Sequence, residues 1–182
     1  MKKSKISIQD ICAIAIMAAV TAAMAQISIP MPLGVPMTMQ TFAVTLTGII
    51  LGKNRGAISM LVYLLLGAVG IPVFAGLSGG LPKLIGPTGG FLISFPIMAF
   101  LIGWGMELRH KKGMFTLMLV LGTISNYVVG VIMYCILMKA SVITGFTACV
   151  LPFIPTAIIK AVLAAVLGLQ IHKRLAKSLN WV

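Results

Sequence analysis

Apolar residues fall in six runs along the chain. The first extends from about Ile8 to Ser28 and is closed by Pro30, Pro32, Gly34 and Pro36, because proline lacks the amide a helix interior needs and glycine favours turns. The second covers about Met37 to Leu51 and stops at Gly52-Lys53-Asn54-Arg55-Gly56. The third, about Ala57 to Gly70, ends before Pro72, and a glycine-rich stretch from Val73 to Gly90 follows. The fourth runs from about Phe91 to Met106 and ends in Glu107-Leu108-Arg109-His110-Lys111-Lys112; the fifth covers about Met114 to Met138. Residues 139–151 join it to the sixth, which begins near Pro152 or Pro155 and ends at His172-Lys173-Arg174. A first helical turn tolerates proline at either start.

Composition makes these runs membrane helices. Of 182 residues, 60% are hydrophobic and 9% charged, where a soluble domain carries about 25% charged residues. A polar surface cannot be built from that stock, so the bilayer is the solvent for much of the outside. The expectation is an all-α integral membrane protein, one domain over residues 1–182, with six spans. Runs two and three are short for the roughly 20 residues of a straight span. Irregular backbone is therefore expected near the loops rich in Gly and Pro, where it survives only if buried in protein or lining a cavity.

The net charge of +12, from 14 Lys and Arg against Asp10 and Glu107, sharpens the topology. Nucleic-acid binders display such charge on a soluble surface; here it sits in clusters between apolar runs. With the N-terminus inside, cytoplasmic pieces hold Lys2, Lys3, Lys5, Lys53, Arg55, Arg109, Lys111, Lys112, Lys173, Arg174 and Lys177, 11 of the 14. Outer pieces hold Lys83 and Lys139, and Lys160 lies within run six. Positive residues stay inside, so both ends are expected in the cytoplasm and the Gly/Pro-rich loops outside. Lys2, Lys3 and Lys5 before an apolar run, with Ala23-Met24-Ala25, resemble a cleaved leader. Gln9 and Asp10 at the start of the run and the hydrophobic remainder favour a retained first helix.

Catalytic chemistry is hard to assemble. Asp10 and Glu107 read as solvated ends on the cytoplasmic side, and His110 and His172 sit in basic clusters there. Cys12, Cys135 and Cys149 form no CxxC and no metal-ligand spacing and read as small apolar helix residues. The stretch Gly48 to Asn54 has three residues between its glycines, and Asn54 stands where a phosphate loop needs Ser or Thr. The chain therefore has no means of its own to use ATP.

The few polar residues in the apolar runs carry the functional reading. Lys160 lies 13 positions before Lys173, about 20 Å along a helix and so in the outer half of the membrane. Two readings apply: it snorkels to outer headgroups, or it faces a cavity and pairs with an anion near the positive end of its helix. Thr38, Thr41 and Thr45 form an i, i+3, i+7 stripe on run two, beside Gln40; Thr hydroxyls also bond their own helix. Gln40 and Asn126, next to Tyr127, need partners for both ends of their amides, either each other or a polar ligand. Gly86-Pro87-Thr88-Gly89-Gly90 closes a glycine-rich stretch from Gly76 that reads as a turn or as a lid. Ala157, Ala161, Ala164 and Gly168 on run six, and Ala15, Ala19 and Ala23 on run one, make small faces suited to close helix contact.

These features in order make the chain resemble the BioY family, the biotin-binding S components of energy-coupling factor (ECF) transporters. The marks are Pro36-Met37-Thr38-Met39-Gln40-Thr41, the run from Tyr63 to Phe74, Gly86-Pro87-Thr88-Gly89-Gly90-Phe91, Tyr127 three before Gly130, and Lys160. The resemblance spans nearly the whole chain. It implies the six-helix S-component fold in a prokaryotic cell membrane, capture of biotin from outside as transported ligand rather than cofactor, and an energising module of two ATPases and one transmembrane coupling protein. With no nucleotide-binding or catalytic motif in the sequence, no enzymatic activity is expected of this chain. Ala15, Ala19 and Ala23 match the family's contact with the coupling protein. The implied substrate site comprises Thr38, Gln40, Thr41, Pro87, Thr88, Gly89, Gly90, Phe91, Asn126, Tyr127 and Lys160. Biotin's carboxylate would pair with Lys160 and its ureido group with Gln40 or Asn126. One position departs from the family: Ala157 stands where an Asp commonly precedes the lysine by three residues.

Overall fold

The computed structural model describes residues 7–31 and 34–179. Lys2, Lys3, Lys5 and Pro32, which enter the charge and proline patterns, lie outside the described residues, as does the side chain of Lys177. The described chain is helical apart from loops and one two-stranded ribbon. Helix α1 (Ile8–Ala25) leads into β1 (Ser28–Ile29), which pairs antiparallel with β2 (Met37–Thr38). Then follow α2 (Gln40–Ala68), the short α3 (Leu81–Leu84) and α4 (Gly89–Ile93), α5 (Phe95–Glu107), α6 (Met114–Met138), α7 (Val142–Cys149) and α8 (Ile154–Leu179).

Helix α2 is a hairpin rather than a rod. Twenty-three residues of straight helix span about 34 Å, yet the Gln40 Nε2 lies 2.7 Å from the Tyr63 hydroxyl. The turn is at Gly52, whose φ of 75° and ψ of −176° break the helix in a region that glycine enters without a Cβ clash. The predicted stop is thus shorter than the sequence suggests: residues 53–56 are already helical. Among the described residues, five helical stretches are long and apolar enough to cross a membrane, and folding α2 into two limbs makes six crossing segments. Gly103 of α5 lies so close to the Gly52 turn that a Cβ there would meet the backbone of Gly52 and Lys53. This close approach seats α5 in the hairpin, and Val44, Ile49, Met60, Tyr63, Phe95, Met98 and Ile102 form the core around it.

The outside of the bundle is oil-like. On α6 the buried residues are Met118, Gly122, Asn126, Gly130 and Tyr134, one every four positions. The opposite face exposes Leu117, Leu121, Ile124, Val128 and Ile132. The small and polar residues point inward and the branched apolar ones outward, as a lipid solvent requires.

Other boundaries differ from the sequence reading. Residues 139–151, expected as a plain connection, contain α7, which Ser141 caps by accepting from the Thr144 amide. A 3₁₀ turn at Leu151–Phe153 leads to α8, with Pro155 in its first turn. Thr38 belongs to β2 and not to the helix, so the threonine stripe is broken; Thr45 bonds back to the Thr41 carbonyl at 2.8 Å. The small face of α8 packs as expected: Ala164 is fully buried, and a Cβ on Gly168 would meet the Ile49 side chain.

Asp10 is not the solvated end expected, whereas Glu107 is exposed as expected. Asp10 is buried, closes a capping box with Ser7, and pairs with Arg55 at 2.8 Å. Glu107 pairs with Lys53 at 2.7 Å. These pairs tie α1 and α5 to the α2 turn. His172 joins the same end through Nδ1, 3.3 Å from the Ile50 carbonyl oxygen. The start of α1, the α2 turn and the last part of α8 therefore share one end of the bundle, together with most of the described basic residues.

Candidate ligand-binding site

The opposite end of the bundle holds a cavity of about 390 Å³. Its walls come from the β1–β2 connection, β2, α2, the loop after α2, α3, the α3–α4 turn, α4, α5, α6, the end of α7 with the 3₁₀ turn after it, and α8. Phe74, Phe91, Leu92, Phe95 and Phe153 supply apolar surface, while Thr38, Gln40, Asn126 and Lys160 bring polar groups. A small-molecule site has this constitution: mostly apolar, with few oriented polar groups.

The polar groups are held by a connected network. Lys160 Nζ donates to the Thr38 carbonyl oxygen at 3.0 Å. The Thr38 hydroxyl donates to Gln40 Oε1 at 2.9 Å, and Gln40 Nε2 donates to the Tyr63 hydroxyl at 2.7 Å. Tyr63 then donates to the Val73 carbonyl oxygen at 3.0 Å. That carbonyl only accepts, so the direction of the Tyr63 bond is fixed and with it the orientation of the Gln40 amide. On the facing wall Asn126 donates through Nδ2 to the Phe91 carbonyl oxygen at 2.9 Å and the Ser94 hydroxyl at 2.7 Å. Both amide hydrogens are used, and Asn126 Oδ1 remains as an acceptor. Gln40 and Asn126 thus do not bond each other; each has its own partners.

Lys160 is half-buried, and among the described residues no carboxylate pairs with it. The sequence contains two acidic side chains, and both are committed at the other end of the bundle. Ala157, one turn earlier on α8, supplies none.

Nine of the eleven residues expected at a substrate site line this cavity: Thr38, Gln40, Thr41, Pro87, Thr88, Phe91, Asn126, Tyr127 and Lys160. Gly89 and Gly90 do not. They are buried, and a Cβ on either would strike backbone, of Leu84 and of Val129 respectively, so they seat α4 against its neighbours behind the wall. Sequence reasoning does not bring in Cys149, the last residue of α7, Phe153 of the 3₁₀ turn after it, or the exposed Lys83, all of which line the cavity. Lys83 stood out as an outer charge, but its place at this cavity depends on α3, which the glycine-rich composition hid. Ala15, Ala19 and Ala23 are all exposed on one side of α1.

A six-segment membrane bundle with an apolar, polar-tipped cavity at one end is a membrane-embedded binder of a small solute. The sequence model of the BioY family matches residues 1–177, and the chain belongs to that family. It is 38% identical over 165 residues to the probable biotin transporter BioY of Pyrococcus horikoshii, covering 88% of this chain and 94% of that protein. It is 36% identical over 168 residues to the biotin transporter BioY2 of Lactococcus lactis, covering 90% of each. Its fold matches the crystal structure of the S-component for biotin from an ECF-type ABC transporter with a TM-score of 0.82 at 28% identity, over 91% of this chain and 92% of that one.

Proposed function

We propose that this chain captures biotin at the outer face of a prokaryotic cell membrane and delivers it inward as the substrate-binding subunit of an ECF-type importer. The observation that carries the ligand assignment is Lys160, a cation in an apolar cavity whose hydrogen-bond partner among the described residues is a neutral carbonyl. A charge in low dielectric requires an opposite charge, and the fold has no acidic side chain left to offer. A ligand carboxylate meets that need. Biotin's fused rings suit the Phe-lined wall, and its ureido N–H suits Asn126 Oδ1 better than Gln40, whose amide is already bonded to Thr38 and Tyr63. The named relatives support the same ligand.

The start of α1 and the last part of α8 share the basic end, which supports a cytoplasmic side for both termini. The cavity then opens outward. Biotin is cargo, and the chain uses no cofactor of its own. Uphill movement requires energy that this chain does not generate, so two ATPases and a transmembrane coupling protein act with it. The exposed Ala15, Ala19 and Ala23 face of α1 is the surface for that coupling protein. Purified protein screened against biotin and other small vitamins tests the ligand. Submicromolar binding of biotin is expected; its failure beside tight binding of another vitamin overturns the assignment.

A further inference from the structure

The cavity's loop wall is tied to α1 by one side chain. Gln26, which caps the end of α1, makes three hydrogen bonds through the two polar atoms of its side-chain amide. Nε2 donates to the Ala22 carbonyl oxygen at 3.0 Å and to the Phe74 carbonyl oxygen at 3.2 Å, and Oε1 accepts from the Leu77 amide at 2.8 Å. The tie joins α1 to a loop about fifty positions away in the chain. Phe74 and Ser78 exchange backbone hydrogen bonds at 2.9 and 3.3 Å, so residues 74–78 form a closed turn that moves as a unit. Phe74, Ala75 and Ser78 of this turn line the cavity.

Leu77 holds a left-handed φ of 50° that a leucine rarely adopts, and its side chain is exposed. Apolar packing therefore does not hold it there, while the amide bond to Gln26 does. On the other side Tyr63 fixes the Val73 carbonyl, and the Phe74 ring packs edge-on against Tyr63 with centroids 5.5 Å apart. The turn is thus hinged on α2 and latched on α1.

We propose that Gln26 is a positioning residue for ligand exchange, its amide latching the 74–78 turn over the cavity so that the placement of α1 sets how readily the cavity opens. Gln26 lies outside the cavity lining. It stands three residues after Ala23, so a partner that shifts α1 shifts the latch with it. This coupling rests on the importer reading, while the latch itself does not.

A latch on a wall slows entry and exit alike, whereas a lost ligand contact speeds exit alone. The test is the association and dissociation rate of biotin on the full chain in lipid nanodiscs, for wild type, Gln26→Ala and Gln26→Glu. In Gln26→Ala both rates rise about tenfold and Kd changes by less than about threefold. Gln26→Glu keeps the acceptor for Leu77 but sets a carboxylate oxygen against the Ala22 and Phe74 carbonyl oxygens, so both rates rise in it as well. Unchanged rates, or a faster dissociation alone, overturn the proposal. Hydrogen exchange without ligand gives an independent reading: residues 74–78 exchange about tenfold faster in Gln26→Ala while the α2 limbs do not change. Equal exchange in that turn overturns the latch. Should Gln26→Ala not fold, the same two measurements on Gln26→Glu decide. Failure of wild type to bind biotin counts against the ligand assignment only, and the exchange measurement still judges the latch.

Discussion

Lys160 and Thr38 stand 122 positions apart, and the lysine ammonium donates to the threonine carbonyl oxygen at 3.0 Å. The contact pins α8 to the β ribbon at the mouth of α2. It also leaves a full positive charge facing a cavity with only a dipole to answer it. From Thr38 the network runs on through Gln40 and Tyr63 to Val73, so the cation, the ribbon and the loop wall share one set of hydrogen bonds.

Tyr63 is the keystone of that network. Tyr63→Phe keeps the ring but leaves Gln40 Nε2 and the Val73 carbonyl each short of a partner in a buried place. The expected loss of stability is about 1–3 kcal/mol, read from thermal or denaturant unfolding of the purified protein. No change in the midpoint would show that the network does not support the fold.

The buried pair of Asp10 and Arg55 gives a prediction at the other end. Removing either partner strands the other, but Arg55 is about one-third exposed at 33%, so solvent softens the effect. Asp10→Asn and Arg55→Met are each expected to cost about 1–2 kcal/mol. In a double-mutant cycle the combined variant loses less than the sum. Strict additivity would mean that the two do not act as a pair.

Gly103→Ala tests the α2 hairpin. The added methyl meets the backbone of Gly52 and Lys53, which cannot swing aside as a flexible side chain would. A loss of about 1–3 kcal/mol is expected, again from unfolding. An unchanged protein would place α5 farther from the turn than described.

The helical frame was legible because hydropathy and charge report the solvent around each segment. The run Met114 to Met138 matches α6 at both ends, and the Gly52 cluster marked the hairpin. The cavity's polar residues were legible because Gln40, Asn126 and Lys160 are costly in an apolar run unless something answers them. What stayed hidden depends on distant partners. Asp10 was read as solvated, since nothing local reveals Arg55 forty-five positions on. Gln26 drew no notice, because a glutamine at a helix end is ordinary until the loop beside it is known. Gly89 and Gly90 carried the look of a ligand loop, yet the close approach they permit is to protein backbone. The 139–151 connection hid α7, because eight residues between two long apolar runs leave too short a pattern to separate helix from loop.

The most direct test of the account is a comparison of biotin with a biotin amide lacking the carboxylate, on wild type and Lys160→Met. The wild type binds biotin more tightly than the amide. Lys160→Met weakens biotin about tenfold to a hundredfold, the range of a charge-assisted hydrogen bond, and weakens the amide by less than about threefold. Equal losses for the two ligands would contradict the account, for Lys160 would then not be the group that reads the carboxylate.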